Sequence, residues 1–268
     1  MTSYSSTIET ISETLAGIPL AYEEEKAFVS EQSRRGITWQ EAGVLVLITR
    51  GEKGLSFILN KRSQEVSQPG DLCWPGGHPM PLADRFMANW VIPHLLPMRK
   101  GQGFAAAKNR RPKTFEVISF YLANALRECW EEMRVGPRKV DFLGALPCYR
   151  LVGRRKIVYP MVGCLTQTVK FKTSYEIERN VCLPLEDLWD TQRYGTYSLI
   201  LTGKYRELAG TDTWDLPCYA VARRDGPDDI LWGATYIILM NLLDKVFGFR
   251  PPANGPVRAA ADLYPLRS

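Results

Sequence analysis

Between residues 6 and 34 the apolar positions Ile8, Ile11 and Leu15, then Ala21 and Phe28, recur at helical spacing in a polar background. Gly17-Ile18-Pro19 interrupts them, so the pattern predicts two short helices. The unbroken apolar run Ala42–Ile48 predicts a buried strand, and Leu55–Leu59, beyond a glycine-containing turn, its hairpin partner. A loop dense in Gly, Pro and Ser follows (KRSQEVSQPGDLCWPGGHP). From Arg85 to about Glu116 the chain is first apolar and punctuated by Pro93 and Pro97 (FMANWVIPHLLP), then basic and rich in turn formers. That stretch reads as an inserted lid or excursion without a regular element. A helix over Phe115–Met133 is closed by Gly136-Pro137. Strands are predicted at Phe142–Leu146 and from Ile157 to Leu165, a short helix at LEDLWD, a strand pair around Leu199–Leu201 and Pro217–Val221, and a helix from Leu231 to Phe247. Strands alternating with a few helices predict an α/β sandwich with a mixed sheet in a single domain, 1–268. Residues 1–40 form its helical extension, 85–116 an insertion and 251–268 a loose Pro-rich tail.

Composition changes this picture little. Apolar residues make up 45% of the 268 and charged ones 24%, the balance of a globular chain with a sizeable core. A net charge of +5 is too mild for nucleic-acid binding but suits a polyanionic small molecule. No basic leader with an apolar core opens the chain and no run is long enough to span a bilayer, so a cytoplasmic protein without membrane contact is expected. The six cysteines include no CxxC pair and read as reduced core thiols, and two histidines, His78 and His94, argue against a His-based triad or zinc site.

The chemistry concentrates at Arg127-Glu128-Cys129-Trp130-Glu131-Glu132. On a helix, Leu122, Leu126, Cys129 and Met133 share one stripe, which faces the core, while Glu128 and Glu132 stand one turn apart on another face with Glu131 beside them. Carboxylates so close repel, and a hard divalent cation relieves that repulsion while also taking phosphate oxygens. Arg127 lies four residues before Glu131 and could orient it. A solvated Glu-rich face is the competing reading of this hexapeptide taken alone. Trp74-Pro75-Gly76-Gly77 lets the backbone turn sharply and approach a ligand, and a carbonyl there, at Gly77 for example, could complete a metal site.

WPGG followed by ALRECWEEMRVG resembles the signature of the Nudix hydrolases, metal-dependent pyrophosphatases. LNKRSQEVSQPGDLCWPGG, FLGALPCYRLVGRRKIVYPMVG, VCLPLEDLWD and ILWGATYIILMNLL are similar to the coenzyme A pyrophosphatase branch of that family. The resemblance covers about Ala42 to Phe247, interrupted by the insertion. It implies the Nudix α/β/α sandwich and an enzyme that uses Mg²⁺ or Mn²⁺ to cut a nucleotide diphosphate. It also implies Glu128 and Glu132 as metal ligands, Glu131 as an auxiliary ligand or base oriented by Arg127, and a Gly77 carbonyl at the metal. Arg62, Ser63, Gly70 and Gly76 fall to the substrate, and Glu176 is a candidate second-metal ligand or base, with a surface loop acid as the alternative. Coenzyme A or an acyl-coenzyme A is the expected substrate, ADP-ribose or NADH the rival, and a retired nucleotide-sensing module the rival outside enzymes.

The sequence departs from the signature in three places. The insertion stretches the loop between glycines and helix, leaving Asp84 as the nearest spaced acid, one position late. Arg134 stands where a glycine usually ends the helix, so Gly136 is the expected cap. Gln68 stands where the branch has a histidine. His78 could touch a phosphate, although a surface-loop role is more common. Trp74 and Trp130 read as core packing. The cluster Arg99, Lys100, Lys108, Arg110, Arg111 and Lys113 reads either as a solvated loop or as a lure for a polyphosphate. The apolar half of the insertion could cover an acyl arm, make a homodimer contact or pack on the sheet.

Overall fold

The strand predicted at Ala42–Ile48 runs from Gln40 to Gly51 and forms the middle of the principal sheet. The computed structural model describes residues 4–262, apart from 202, 204, 205, 208, 209 and 224. Its elements in chain order are α1 (Tyr4–Gly17), α2 (Tyr22–Arg34), β1 (Gln40–Gly51), β2 (Gly54–Arg62), β3 (Leu72–Cys73), β4 (Gly76–Gly77), α3 (Pro81–Phe86), α4 (Ile92–Leu95), α5 (Gln102–Lys108) and α6 (Pro112–Met133). They continue with β5 (Val140–Ala145), β6 (Tyr149–Leu151), β7 (Lys156–Leu165), β8 (Ile177–Pro184), β9 (Tyr194–Ile200), β10 (Thr213–Val221), β11 (Asp229–Trp232), α7 (Gly233–Phe247) and β12 (Val257–Asp262).

The principal sheet is mixed: β1 pairs antiparallel with β2 and parallel with β7, and its path runs β3-β2-β1-β7-β5. Strand alternation sends its two faces to different helices. Gly43 faces α6 so closely that a Cβ there would lie 2.7 Å from both the Asn124 Oδ1 and the Tyr121 carbonyl. Phe57, paired with Ile48 on the other face, meets Trp74, whose indole donates to the Thr235 carbonyl on α7. Leu15 of α1 covers Gly144 on that same second face. Thus α6 and α7 enclose the sheet, the α/β/α sandwich expected. On the α6 face Tyr159 stacks on Tyr121 at 3.9 Å and meets Tyr22 of α2 edge-on at 5.2 Å. A smaller sheet, β11-β10-β9-β12, has its own core of Tyr197, Leu199 and Cys218 and is tied to the first where Lys61 and Arg179 grip the buried Asp229.

Several expectations are corrected. The insertion is mostly helical, because Ala88, Ile92, Leu96, Met98, Phe104 and Ala107 all find apolar neighbours that the prolines and glycines concealed. Helix α6 starts at Pro112 rather than Phe115, since a proline at the first turn lacks only an N–H that has no helical partner anyway. Its left-handed cap is Arg134 (φ 58°, ψ 30°), whose guanidinium lies over the Trp130 ring, and not Gly136. Trp130 itself is about half exposed (48%), not core. Leu231 and Trp232 belong to β11, not to the following helix. Of the tail expected to be loose, Val257–Asp262 pairs with β9 in parallel, while residues 263–268 lie outside those described.

Arg110 anchors the insertion by donating to the carbonyls of Leu15, Ala16 and Ile18, which satisfies the end of α1. Charge-assisted bonds of this kind contribute about 1.5–3 kcal/mol together with their desolvation terms. Arg110→Ala is expected to lower the thermal midpoint by several degrees in a melting experiment; an unchanged midpoint would show that α1 needs no such anchor.

Candidate active site

In its C-terminal half helix α6 carries Asn124, Arg127, Glu128 and Glu131 on one stripe, at the i, i+3, i+4, i+7 spacing, with Glu132 alongside. The predicted core stripe of Leu122, Leu126, Cys129 and Met133 is buried. The Gly-Gly bend lies against the polar stripe because β4 pairs with β1 at Gly43 and Val44, which fixes its place over α6. Asn124 fastens this junction: its Oδ1 accepts from the Gly43 N–H at 2.7 Å and its Nδ2 donates to the His78 carbonyl at 3.2 Å.

Gly77 touches the Glu128 carboxylate so closely that a Cβ would come within 2.7 Å of it. Arg127 sits among the acids. It donates to Asp84 Oδ1 (2.9 Å) and Glu131 Oε2 (2.9 Å), pairs with Glu128 Oε1 (3.0 Å) and reaches the His78 carbonyl (3.0 Å). Burial alone would push this guanidinium toward neutrality, but the Asp84 bond and the charges of Glu128, Asp84 and Glu131 outweigh it and raise its pKa. Asp84 has no solvent exposure and also accepts from the Met80 N–H at 2.6 Å. The late-spaced acid thus holds Arg127 and the start of α3.

Glu132 is 6% exposed; its Oε2 accepts from Asn60 Nδ2 at 2.7 Å, and Asn60 is held in turn by Asn180 at 2.7 Å. Burial raises its pKa to about 8, helped by the charge of Glu128 and opposed by Asn60 and the Gly76 backbone. Glu128 is raised too, by burial and by Glu131, against the pull of Arg127. Glu176 lies within electrostatic reach of Glu132. Its loop is tied to the site through the Ser174 N–H on the Glu132 carbonyl (2.9 Å) and its own carbonyl on the Ser63 N–H (2.8 Å).

Arg62 folds onto its loop, donating to the Ser67 carbonyl at 2.7 Å, while the Gly70 N–H donates back to the Arg62 carbonyl. Arg154 reaches Gln68 at 2.6 Å, and Asp71, bonded to Trp232, is pushed up to about 6 by burial. The Lys156 side chain, at the start of β7, makes no hydrogen bond or ion pair with any described residue; burial and then the charges of Arg62 and Arg154 lower its pKa, and Glu128 opposes them. Lys156 thus lies between the field of Arg62 and Arg154 on one side and that of Glu128 on the other, and none of the three cations forms an ion pair among the described residues. His78 is tied through Nδ1 to the Glu41 carbonyl, and burial followed by Lys156 lowers its pKa.

The structure thus gathers Glu128, Glu131, Glu132, Arg127, Gly76 and Gly77, with Glu176, Ser63, Arg62 and Gly70 on the adjoining loops. It does not bring the whole basic cluster there: Arg110 caps α1 and Arg111 pairs with Glu23 of α2. Pattern reading missed Asn60, Asn124, Asn180, Arg154 and Lys156. Asn60 left one trace, a polar residue at an inward position of an apolar strand.

Among the described residues no three His, Cys, Asp or Glu side chains are gathered closely enough to clasp an ion as they stand, for Arg127 and Asn60 occupy the acids. The donor set nonetheless suits a hard divalent cation: carboxylate oxygens that repel one another, one of them buried with a strongly raised pKa, under a glycine bend no larger residue could form.

No protein-family model and no curated protein matches the chain. Among solved structures it is similar to a C. elegans Ap4A hydrolase binary complex (18% identity over 56% of this chain and 82% of that one, TM-score 0.36). It is also similar to the NUDIX domain of Shewanella oneidensis NrtR complexed with ADP ribose (12%, 67% and 92%, TM-score 0.36) and to a MutT protein from Methanosarcina mazei Go1 (20%, 56% and 80%, TM-score 0.33). Likenesses this distant carry no argument about chemistry, which rests on the residues described.

The raised pKa of Glu132 fixes the sign of a stability effect. A carboxyl that ionises near 4.5 when unfolded and near 8 when folded costs nothing below pH 4.5, and its penalty grows as the pH rises, complete above 8. Glu132→Gln should therefore melt progressively higher than the parent as pH rises from 5 to 9 in chelator-treated buffer. The gain is on the order of a few kcal/mol. A difference independent of pH would mean that Glu132 ionises normally.

Proposed function

We propose that this chain is a Nudix-type hydrolase that uses Mg²⁺ or Mn²⁺ to cut the diphosphate bond of a nucleotide derivative, with coenzyme A or an acyl-coenzyme A as substrate. One observation carries the reading: Arg127 is clamped between Asp84, Glu128 and Glu131 directly beneath a Gly-Gly bend that also meets Glu132. Glu128, Glu131, Glu132 and the Gly77 carbonyl would hold the cation, which supplies charge neutralisation for a diphosphate and acidifies water.

The chain's own groups divide the remaining work. Arg127 aims Glu128 and Glu131, and Asn60, backed by Asn180, aims Glu132. Lys156, unpaired, with Arg62 and Arg154 beside it, attracts the anionic substrate, as a cationic wall in a partly buried site does. Glu131, more exposed than its neighbours, or Glu176 on the facing loop takes the proton of the attacking water at a carboxylate oxygen. Cleavage of coenzyme A in this way yields 3′,5′-ADP and 4′-phosphopantetheine. The stretches around Arg62–Gly77 and Phe142–Gly163 that resemble the coenzyme A branch support that substrate over ADP-ribose or NADH.

Turnover of coenzyme A, acetyl-coenzyme A, ADP-ribose and NADH, each with Mg²⁺ and with Mn²⁺, tests the proposal. Coenzyme A compounds should be hydrolysed fastest, and Glu132→Gln should reduce kcat by two orders of magnitude or more, about 3 kcal/mol of barrier. Preference for ADP-ribose would move the substrate assignment. Metal-dependent nucleotide binding without product would make the chain a sensor.

A further inference from the structure

Pro81–Leu95 is one continuous helical run, α3 passing through a wide π-helical turn at Met87–Val91 into α4. Its inner positions, Asp84, Ala88 and Ile92, are buried, and Asp84 is the acid that holds Arg127. Its outer positions are also apolar: Leu82 is 89% exposed, Phe86 62%, Trp90 63% and Leu95 61%. Met80, immediately before the run, is exposed as well. Large apolar side chains on the solvent side of a helix mark a surface built to meet something.

The charge carried by this run and by the turn after it says what: between Met80 and Lys100 the exposed charged side chains are Arg85, Arg99 and Lys100, and the one acid, Asp84, is buried. From Arg85 to Glu116 the chain carries Arg85, Arg99, Lys100, Lys108, Arg110, Arg111 and Lys113 against the lone acid Glu116. Arg110 and Arg111 are engaged with the N-terminal helices, whereas Arg85, Arg99, Lys100, Lys108 and Lys113 are exposed and form no ion pair among the described residues.

We propose that this face docks on the surface of an anionic lipid bilayer. Leu, Phe and Trp on the outer side of a helix, with Arg85 in the run, Arg99 and Lys100 just after it and no exposed acid from Met80 to Lys100, match the composition of a helix that lies in a bilayer interface. Trp suits the boundary because its ring is apolar and its N–H seeks water or headgroups. A second copy of the chain fits the same face poorly, since symmetric pairing sets Arg85, Arg99 and Lys100 against their own copies and the run from Met80 to Lys100 exposes no acid to meet them. No helix among the described residues is long and apolar enough to cross a membrane, and docking in the interface requires none. The expectation of no membrane contact, drawn from the lack of a spanning run, does not bear on this kind of contact. Docking stands apart from the reaction proposed above and survives if that reaction proves wrong.

Sedimentation of the full chain with vesicles tests it, using phosphatidylcholine alone and phosphatidylcholine mixed two to one with phosphatidylglycerol. The chain is expected to partition at least tenfold more strongly onto the anionic vesicles and to come off as salt is raised. The double variant Leu82→Ser, Trp90→Ser should lose that binding while keeping the parent's circular dichroism and melting midpoint, because both side chains are exposed. Light scattering behind a sizing column follows the same two proteins without lipid. Failure to sediment, equal binding to neutral vesicles, undiminished binding by the double variant, or a solution dimer that this variant dissolves would each overturn the proposal.

Discussion

Four carboxylates, Asp84, Glu128, Glu131 and Glu132, are drawn to the end of α6 that faces the glycine bend, and the Arg127 guanidinium holds three of them together. Its planar fork can serve several acceptors at once, which a lysine ammonium in the same place would do with less order. Without that cation Asp84 would be a buried charge lacking its partner, and α3 would lose its ionic tie to α6. The same guanidinium reaches the His78 carbonyl, so the strand end that carries the glycines is positioned by the group that positions the acids. Arrangement of the site and anchoring of the insertion are thereby one problem with one solution.

Around this clamp the fold supplies support of two kinds. Tight contacts fix distance: Gly43 lets α6 approach β1 closely enough for Asn124 to bond the strand, and Gly77 lets the bend lie on Glu128. Neutral amides fix direction without cancelling charge. Asn60 orients Glu132 yet leaves it an acid, and Asn180 orients Asn60. The outcome is a pair of acids raised by burial and by neighbouring carboxylates, with Lys156 in the field of Glu128 and Arg62 and Arg154 near it, a division of charge that suits a polyanion bridged by a cation.

The insertion is joined to this machinery at both ends. At one, Asp84, the residue just before it, holds the clamp; at the other, Arg110 and Arg111 fasten onto the two N-terminal helices. Its inner side packs as core and its outer side is apolar and cationic. A segment that contributes to the interior while displaying large apolar side chains outward has two neighbours to satisfy, the protein and whatever lies beyond it.

Local pattern was enough for the main elements and for the acid-bearing helix, because apolar periodicity records which side of an element is covered. The run Ala42–Ile48 announced the central strand, and Leu122, Leu126, Cys129 and Met133 announced the buried stripe that turns Glu128, Glu131 and Glu132 away from the core. Tertiary structure decided what depends on distant partners. Helix persists through Pro93 because buried neighbours outweigh local propensity; Val257–Asp262 becomes a strand because β9 offers an edge; and Arg134 takes a left-handed cap that no spacing foretold. Lys156, Asn60 and Asp84 acquire meaning only across long stretches of chain. Sequence records the side a residue faces, but which charge it meets there is fixed only when the chain has closed on itself.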